Sequence, residues 1–294
     1  MGQYSIKELE KLSGIKAHTI RIWEKRHGII APRRTSTNIR FYDDNDLKKI
    51  LKVTILNNHG FKISSIAQLS REELNEKVIQ LSTSVSKTDI HIDRMIMAMV
   101  DLDEASFEKL LGELTMKMGF ENMVTNVIYP FLHKIGILWQ TGNINPAQEH
   151  FMSNLIRQKI IVAIDAIPLP SKESRAPLFL VFLPEGEMHE IGLLFYHYIL
   201  RKNNFRTVYL GQSVPYNDLL EVTKVHDPAF LLTVFTSSVP DEKLEGLISR
   251  LSKDFKEKTI VLSGSQITRL SKGLPSNCRK ISSAQDLKYF ISSL

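Results

Sequence analysis

The sequence predicts a multi-domain chain. Three observations carry this: a charge asymmetry, a change of hydrophobic period along the chain, and a length of 294 residues, which suits two to three domains. Residues 1–70 hold thirteen Lys/Arg against six Asp/Glu, or +7, while the remainder balances to −1, so the net +6 sits at one end. That end is expected to face a polyanion. An apolar fraction of 43% is enough for packed cores and excludes a largely disordered chain. The single cysteine, Cys278, excludes an intrachain disulfide framework and suits a reducing compartment. No apolar run approaches the roughly 18–20 residues of a membrane span. The charged start MGQYSIKELEKLSG lacks the apolar core of a secretory signal. A cytoplasmic location with no membrane partner is the expectation.

The first domain is read as residues 1–72. A short helix over Ser5–Leu12 turns Ile6, Leu9 and Leu12 inward, and Gly14 suits the turn that follows. A second helix, about Lys16–Arg26, presents His18, Arg21 and Lys25 together, with Thr19 beside them. This spacing is that of a helix-turn-helix, whose second helix enters the major groove of DNA. Beyond it, APRRTSTNIRFY (31–42) predicts two short extended pieces, a wing carrying Arg33, Arg34 and Arg40. Arginine suits phosphate because its planar fork donates two hydrogen bonds at once. Trp23 and Tyr42 are expected to offer polar edges to phosphate while their rings pack. Asp43-Asp44-x-Asp46 is expected to cap the next helix rather than bind metal. The alternative is a small helical domain with a merely solvated basic face.

Polar residues 73–88 read as a linker containing some helix. Residues 89–167 then change period: Ile92, Met95, Ile96 and Met99, and next Phe107, Leu110, Leu111 and Leu114, recur at helical spacing. Helices over about 122–139 and from Pro146 complete a four-helix bundle. A second linker, 168–177, is rich in Pro and Ser. From 178 to 294 the period changes again. Apolar runs LFLVFLP (178–184), RTVYLG (206–211), AFLLTVF (229–235) and TIVLS (259–263) alternate with amphipathic segments at 190–203, 215–226 and 240–256. Doubly buried strands alternating with helices imply a parallel sheet covered on both faces. The fold class is therefore an N-terminal winged helix-turn-helix, a middle four-helix bundle and a C-terminal α/β, Rossmann-like (flavodoxin-like) parallel sheet.

TIRIWEKRHGII (19–30) and PRRTSTNIRFY (32–42) resemble the MerR family of transcriptional regulators, with Trp23 where the family usually has Tyr. The resemblance covers about 70 residues. It implies double-stranded DNA contacts from Arg21, Trp23, Arg33, Arg34, Arg40 and Tyr42, and a homo-oligomer, dimer or tetramer, on an inverted-repeat operator.

Ligands of parallel sheets bind outside the carboxyl ends of the strands. There the sequence places EGEMHEIG (185–192) after the first strand, Thr236-Ser237-Ser238 after the third and Gly264-Ser265 after the fourth. Neutral imidazole is a good transition-metal ligand, so His189 is the candidate metal ligand, although a lone loop histidine is more often an ordinary surface residue. Glu187 would fix its tautomer, and Gly192 would let a large ligand approach the backbone. In the bundle, LWQTGNINPAQEH (138–150) places nine residues between Trp139 and Glu149-His150. These residues are otherwise read as a core aromatic and a surface pair.

That Trp-x9-Glu-His spacing is similar to the signature of helical cobalamin-binding caps, and EMHEIG (187–192) to the Asp-x-His-x-x-Gly motif of cobalamin-binding Rossmann-like domains. The resemblance implies His189 beneath cobalt, Glu187 as its partner, Gly192 as clearance for the nucleotide tail and Gly264-Ser265 near that tail, while Ser237 is expected to offer a hydroxyl at the same cleft. It also implies Trp139, Glu149 and His150 over the upper face of adenosylcobalamin or methylcobalamin. Head, cap and corrinoid domain in this order resemble light-dependent repressors of carotenoid synthesis, which implies a repressor whose oligomerisation and DNA affinity follow bound cobalamin, with a response to light. Three positions depart from the pattern. Glu187 stands for Asp, Ser265 for a second Gly, and Gln140 for a His that ligates cobalt after photolysis. Two rival readings remain. One is a DNA-binding regulator whose degenerate C-terminal domains bind a protein and no corrinoid. The other is an enzyme, a corrinoid methyl carrier, against which the basic head argues. No enzyme activity is expected.

Overall fold

The computed structural model describes residues 3–35, 38–84, 88–139, 146–171, 176–237, 239–270 and 273–294, without the side chains of 79–84, 88 and 137–139. It divides into two compact units, residues 1–155 and 156–294. The first begins with α1 (Ile6–Ser13), closed by Gly14 in the left-handed conformation, φ 74°. Next comes α2 (Ala17–His27). Strands β1 (Arg33–Arg34) and β2 (Arg40–Phe41) pair antiparallel as the wing. Helix α3 (Asp44–Asn58) starts at a capping box: Asp43 accepts from Asn45 N and Asp46 N, and Asp46 accepts from Asp43 N. A short α4 (Ile63–Ile66) follows.

The stretch read as a linker is largely α5 (Arg71–Ser84), which buries Leu74 and Val78. Its sequence is polar because, among its described side chains, only Leu74 and Val78 are buried. Then α6 (Thr88–Asp101) and α7 (Glu104–Met118) form the first two bundle helices. The third, expected as one helix, is α8 (Phe120–Met123), a widened π turn over Val124–Ile128, and α9 (Tyr129–Trp139). The last is α10 (Pro146–Asp165), with Pro146 in its first turn.

The second unit holds β3 (Leu178–Pro184), α11 (Ile191–Lys202), β4 (Arg206–Val214), α12 (Tyr216–His226), β5 (Phe230–Val234), α13 (Asp241–Asp254), β6 (Thr259–Ser263), α14 (Ser265–Arg269), β7 (Cys278–Lys280) and α15 (Ala284–Ser292). All five strands run parallel in the order β4-β3-β5-β6-β7. One sheet face packs Leu180, Phe182, Leu231, Ile260 and Leu262 on Leu244, Ile248 and Leu251 of α13. Strand order reverses between β3 and β5, which opens a crevice at their carboxyl ends. The fifth strand was not foreseen: CRK has no apolar run and exposes Arg279 and Lys280. Among the described residues no helix is long and apolar enough to cross a membrane.

Candidate functional site

The loop after β3 sits at this reversal point. It is tied to the end of β4, where Gly186 N donates to Ser213 Oγ (3.0 Å), Ser213 N to Glu187 O (3.2 Å) and Gln212 Nε2 to Met188 O (2.7 Å). The Glu187 carboxylate is buried, 5% exposed, and five donors converge on it. They are Thr236 N (2.8 Å), Ser237 N (2.7 Å), Ser237 Oγ (2.8 Å), His189 N (3.0 Å) and the His189 ring at Nδ1 (2.6 Å). Burial alone would raise this carboxyl. Hydrogen bonds from the His189 ring and from the N–H groups of Ser237, His189 and Thr236 outweigh it and hold the group well below the usual carboxylate range. An ionised carboxylate only accepts, so Nδ1 carries a proton, and whenever the ring is uncharged its lone pair is on Nε2. The His189 side chain is 63% exposed.

The loops after β5 and β6 press together beside it. Gly264 has φ 105°, and a Cβ there would lie 2.2 Å from Phe235 O. Gln266 N donates to that same oxygen (3.2 Å), and Ser265 Oγ donates to Thr236 O (3.3 Å). Glycine is thus required at 264 by its contact with the chain itself. Gly192 differs, because an added Cβ would meet nothing within 4 Å. The donor set suits a macrocyclic metal that takes one protein ligand: a single oriented imidazole with its lone pair on Nε2, beside an open glycine.

Glu187, His189, Ser237, Gly264 and Ser265 therefore gather at one edge. Trp139 ends α9, its side chain outside the described residues, as are Gln140 and Ser238. In the first unit, Glu149 Oε2 lies 2.9 Å from Nδ1 of its exposed neighbour His150. Sequence reasoning missed Glu190, buried and accepting from Arg157 Nε (2.6 Å) and Tyr209 OH (2.7 Å), though it stands in the same EGEMHEIG run.

In the head, His18, Arg21 and Lys25 are exposed on α2, Thr19 is half-buried, and Arg33, Arg34 and Arg40 are exposed on the wing. Arg33 pairs with Asp43 (2.7 Å), and Arg34 donates to Asn38 Oδ1 (2.6 Å). Two expectations need correction. Trp23 is 6% exposed, and Tyr42 is fully buried, bridged to Tyr4 by backbone hydrogen bonds of 2.8 and 2.9 Å with its hydroxyl donating to Glu24. Both are pillars of the head's core and do not lie on its surface.

Residues 4–73 match the MerR HTH family regulatory protein pattern, and residues 91–163 match the B12 binding domain pattern. The chain thus carries a MerR-type helix-turn-helix head and a B12-binding domain. Two curated relatives align over most of this chain. The HTH-type transcriptional repressor CarH of Myxococcus xanthus is 28% identical over 254 residues, 84% of each chain. The HTH-type transcriptional repressor CarA of the same organism is 26% identical over 214 residues, 71% of this chain and 68% of CarA. In fold, the chain is similar to the monomethylamine corrinoid protein of Methanosarcina barkeri. The TM-score is 0.56 at 17% identity, covering 71% of this chain and all of that one.

Proposed function

We propose that this protein is a transcriptional repressor whose oligomeric state and operator affinity follow the binding of cobalamin, with His189 Nε2 as the protein ligand of cobalt. The observation that carries the reading is the 2.6 Å contact between the Glu187 carboxylate and His189 Nδ1. A fixed anion at Nδ1 raises the basicity of Nε2 and holds the ring's orientation. When bound, an alkylcobalamin would supply a Co–C bond that light can break. Gly192 and Ser237 would border the nucleotide tail, and Trp139, Glu149 and His150 would cover the opposite face. Arg21, Lys25 and His18 would reach base edges and phosphates, and Arg33, Arg34 and Arg40 phosphates, of an inverted-repeat operator read by a symmetric oligomer in the cytoplasm. A cofactor that favours one assembly strengthens that assembly's hold on DNA, because linkage is reciprocal.

The test is an absorption spectrum of the purified chain with adenosylcobalamin, followed by gel filtration in the dark and after illumination. A histidine-ligated spectrum and a light-dependent change of size are expected. His189→Ala binding with the same affinity and spectrum would overturn the ligation. Absence of any cobalamin binding at tens of micromolar would instead assign the C-terminal unit to a protein partner.

A further inference from the structure

Helix α3 turns two faces to different surroundings. Leu47, Ile50, Leu51 and Ile55 are buried. Asn45, Lys48, Lys49 and Lys52 fall at i, i+3, i+4 and i+7, so one face carries three lysines, including the like-charged pair Lys48 and Lys52 one turn apart. Such pairs destabilise a helix, and two features make this face more than a solvated stripe. It lines an open-sided cavity of about 240 Å³ with Ser70 and Arg71, whose apolar wall is Leu69 and the buried Leu74. In addition, Arg71 occupies the first turn of α5, the positive end of that helix, where a cation is disfavoured.

Four cations thus converge on one concavity. Lys48 is neutralised by Asp101 of α6. Lys49, Lys52 and Arg71 make no ion pair among the described residues. Burial, with Arg71 and Lys48 nearby, pulls the Lys52 ammonium below its usual pKa. A dianion would relieve this repulsion, and Arg71 adds a planar fork matched to a phosphate edge. The cavity is larger than a single phosphate ion, and its leucine wall suits an apolar or ring portion. None of its residues belongs to α2 or the wing, which carry the DNA-facing cations.

We propose that this cavity between α3 and the start of α5 is a second effector site, for a small phosphate-bearing metabolite. A ligand there would bridge α3 of the DNA-reading head and α5, which leads toward the bundle. The site is independent of cobalamin binding.

The experiment titrates the full chain calorimetrically with inorganic pyrophosphate and, separately, with AMP, at about 0.15 M salt, where screening acts beyond about 8 Å. Saturable one-to-one binding is expected, weakened at least tenfold in Lys52→Gln and in Arg71→Gln and unchanged in Lys109→Gln. Tighter AMP binding assigns the leucine wall to a nucleoside, and tighter pyrophosphate binding assigns the site to phosphate groups alone; both support the site. Because each variant removes a repulsion, its melting temperature without ligand should not fall, which separates ligand loss from misfolding. The proposal is overturned if neither probe binds, or if both variants bind the probes as wild type does. It is also overturned if the probes fail while both variants lose affinity for random-sequence duplex DNA, because the cavity is then a DNA-backbone contact.

Discussion

Two carboxylates, one in each unit, are buried to the same degree and ionise in opposite directions. Glu187 is 5% exposed and Asp93 6%. Burial raises both, but Glu187 is drawn well below the normal range by its hydrogen bonds, while Asp93 is pushed up to about 6. Asp93, on α6, has the Lys134 ammonium at 3.0 Å and a like charge in Asp89. The lesson is that converging, fixed donors rather than one flexible counter-charge make a buried anion stable. The sheet edge meets its buried carboxylate with fixed backbone donors, whereas one buried histidine of the bundle is not met in that way. His91 is 4% exposed, with neither ring nitrogen hydrogen-bonded among the described residues.

Substitutions can break or sharpen this contrast. The largest effect is expected at Gly264→Ala, where the new methyl meets Phe235 O at 2.2 Å; a loss of about 3 kcal/mol or more should appear in urea melts. Gly136→Ala in α9, where a Cβ meets nothing within 4 Å, should gain up to about 1 kcal/mol in the same assay. Next, Glu187→Gln turns an amide donor toward donors and should cost about 2–3 kcal/mol, with cobalamin binding weakened about 10–100-fold by spectrophotometric titration. At about pH 4, where Asp93 is protonated in the fold, Asp93→Asn should cost no more than about 1 kcal/mol. If the Asp93 change proved the larger, the contrast would be wrong.

The pH dependence has opposite signs in the two units. A depressed Glu187 adds stability that is complete above its unfolded pKa and is lost as pH falls through the folded value. A raised Asp93 does the reverse: the unfolded chain ionises first, so its contribution falls as pH rises from about 3.8 to about 6 and is flat above. The stability of Asp93→Asn relative to wild type should therefore climb across that window. The smallest expected effect is His91→Leu. Burial, with Arg94 and Lys117 near, lowers this histidine's pKa and keeps the ring neutral, so an apolar replacement should raise stability by about 1 kcal/mol in a thermal melt.

Much of this was legible in the sequence for a physical reason. Doubly buried strands are continuous apolar runs, so β3 and β6 are bounded by LFLVFLP and TIVLS alone. The edge strand β7 carries no such run and was invisible. Glu187 and His189 are two residues apart, so their meeting could be read locally. The N–H groups that fix Glu187, on Thr236 and Ser237, lie about fifty residues away and carry no side-chain signal. Trp23 and Tyr42 misled because aromatic rings with polar edges suit a surface and a core alike; only the Tyr4–Tyr42 pairing decides.

The anchored loop after β3 has a kinetic consequence. Since Glu187 is clamped from β4 and β5 in the protein alone, the conformational freedom of the loop is given up during folding. Preorganisation of this kind removes a barrier from the encounter itself, so capture should proceed in a single fast phase, without a slow rearrangement behind it.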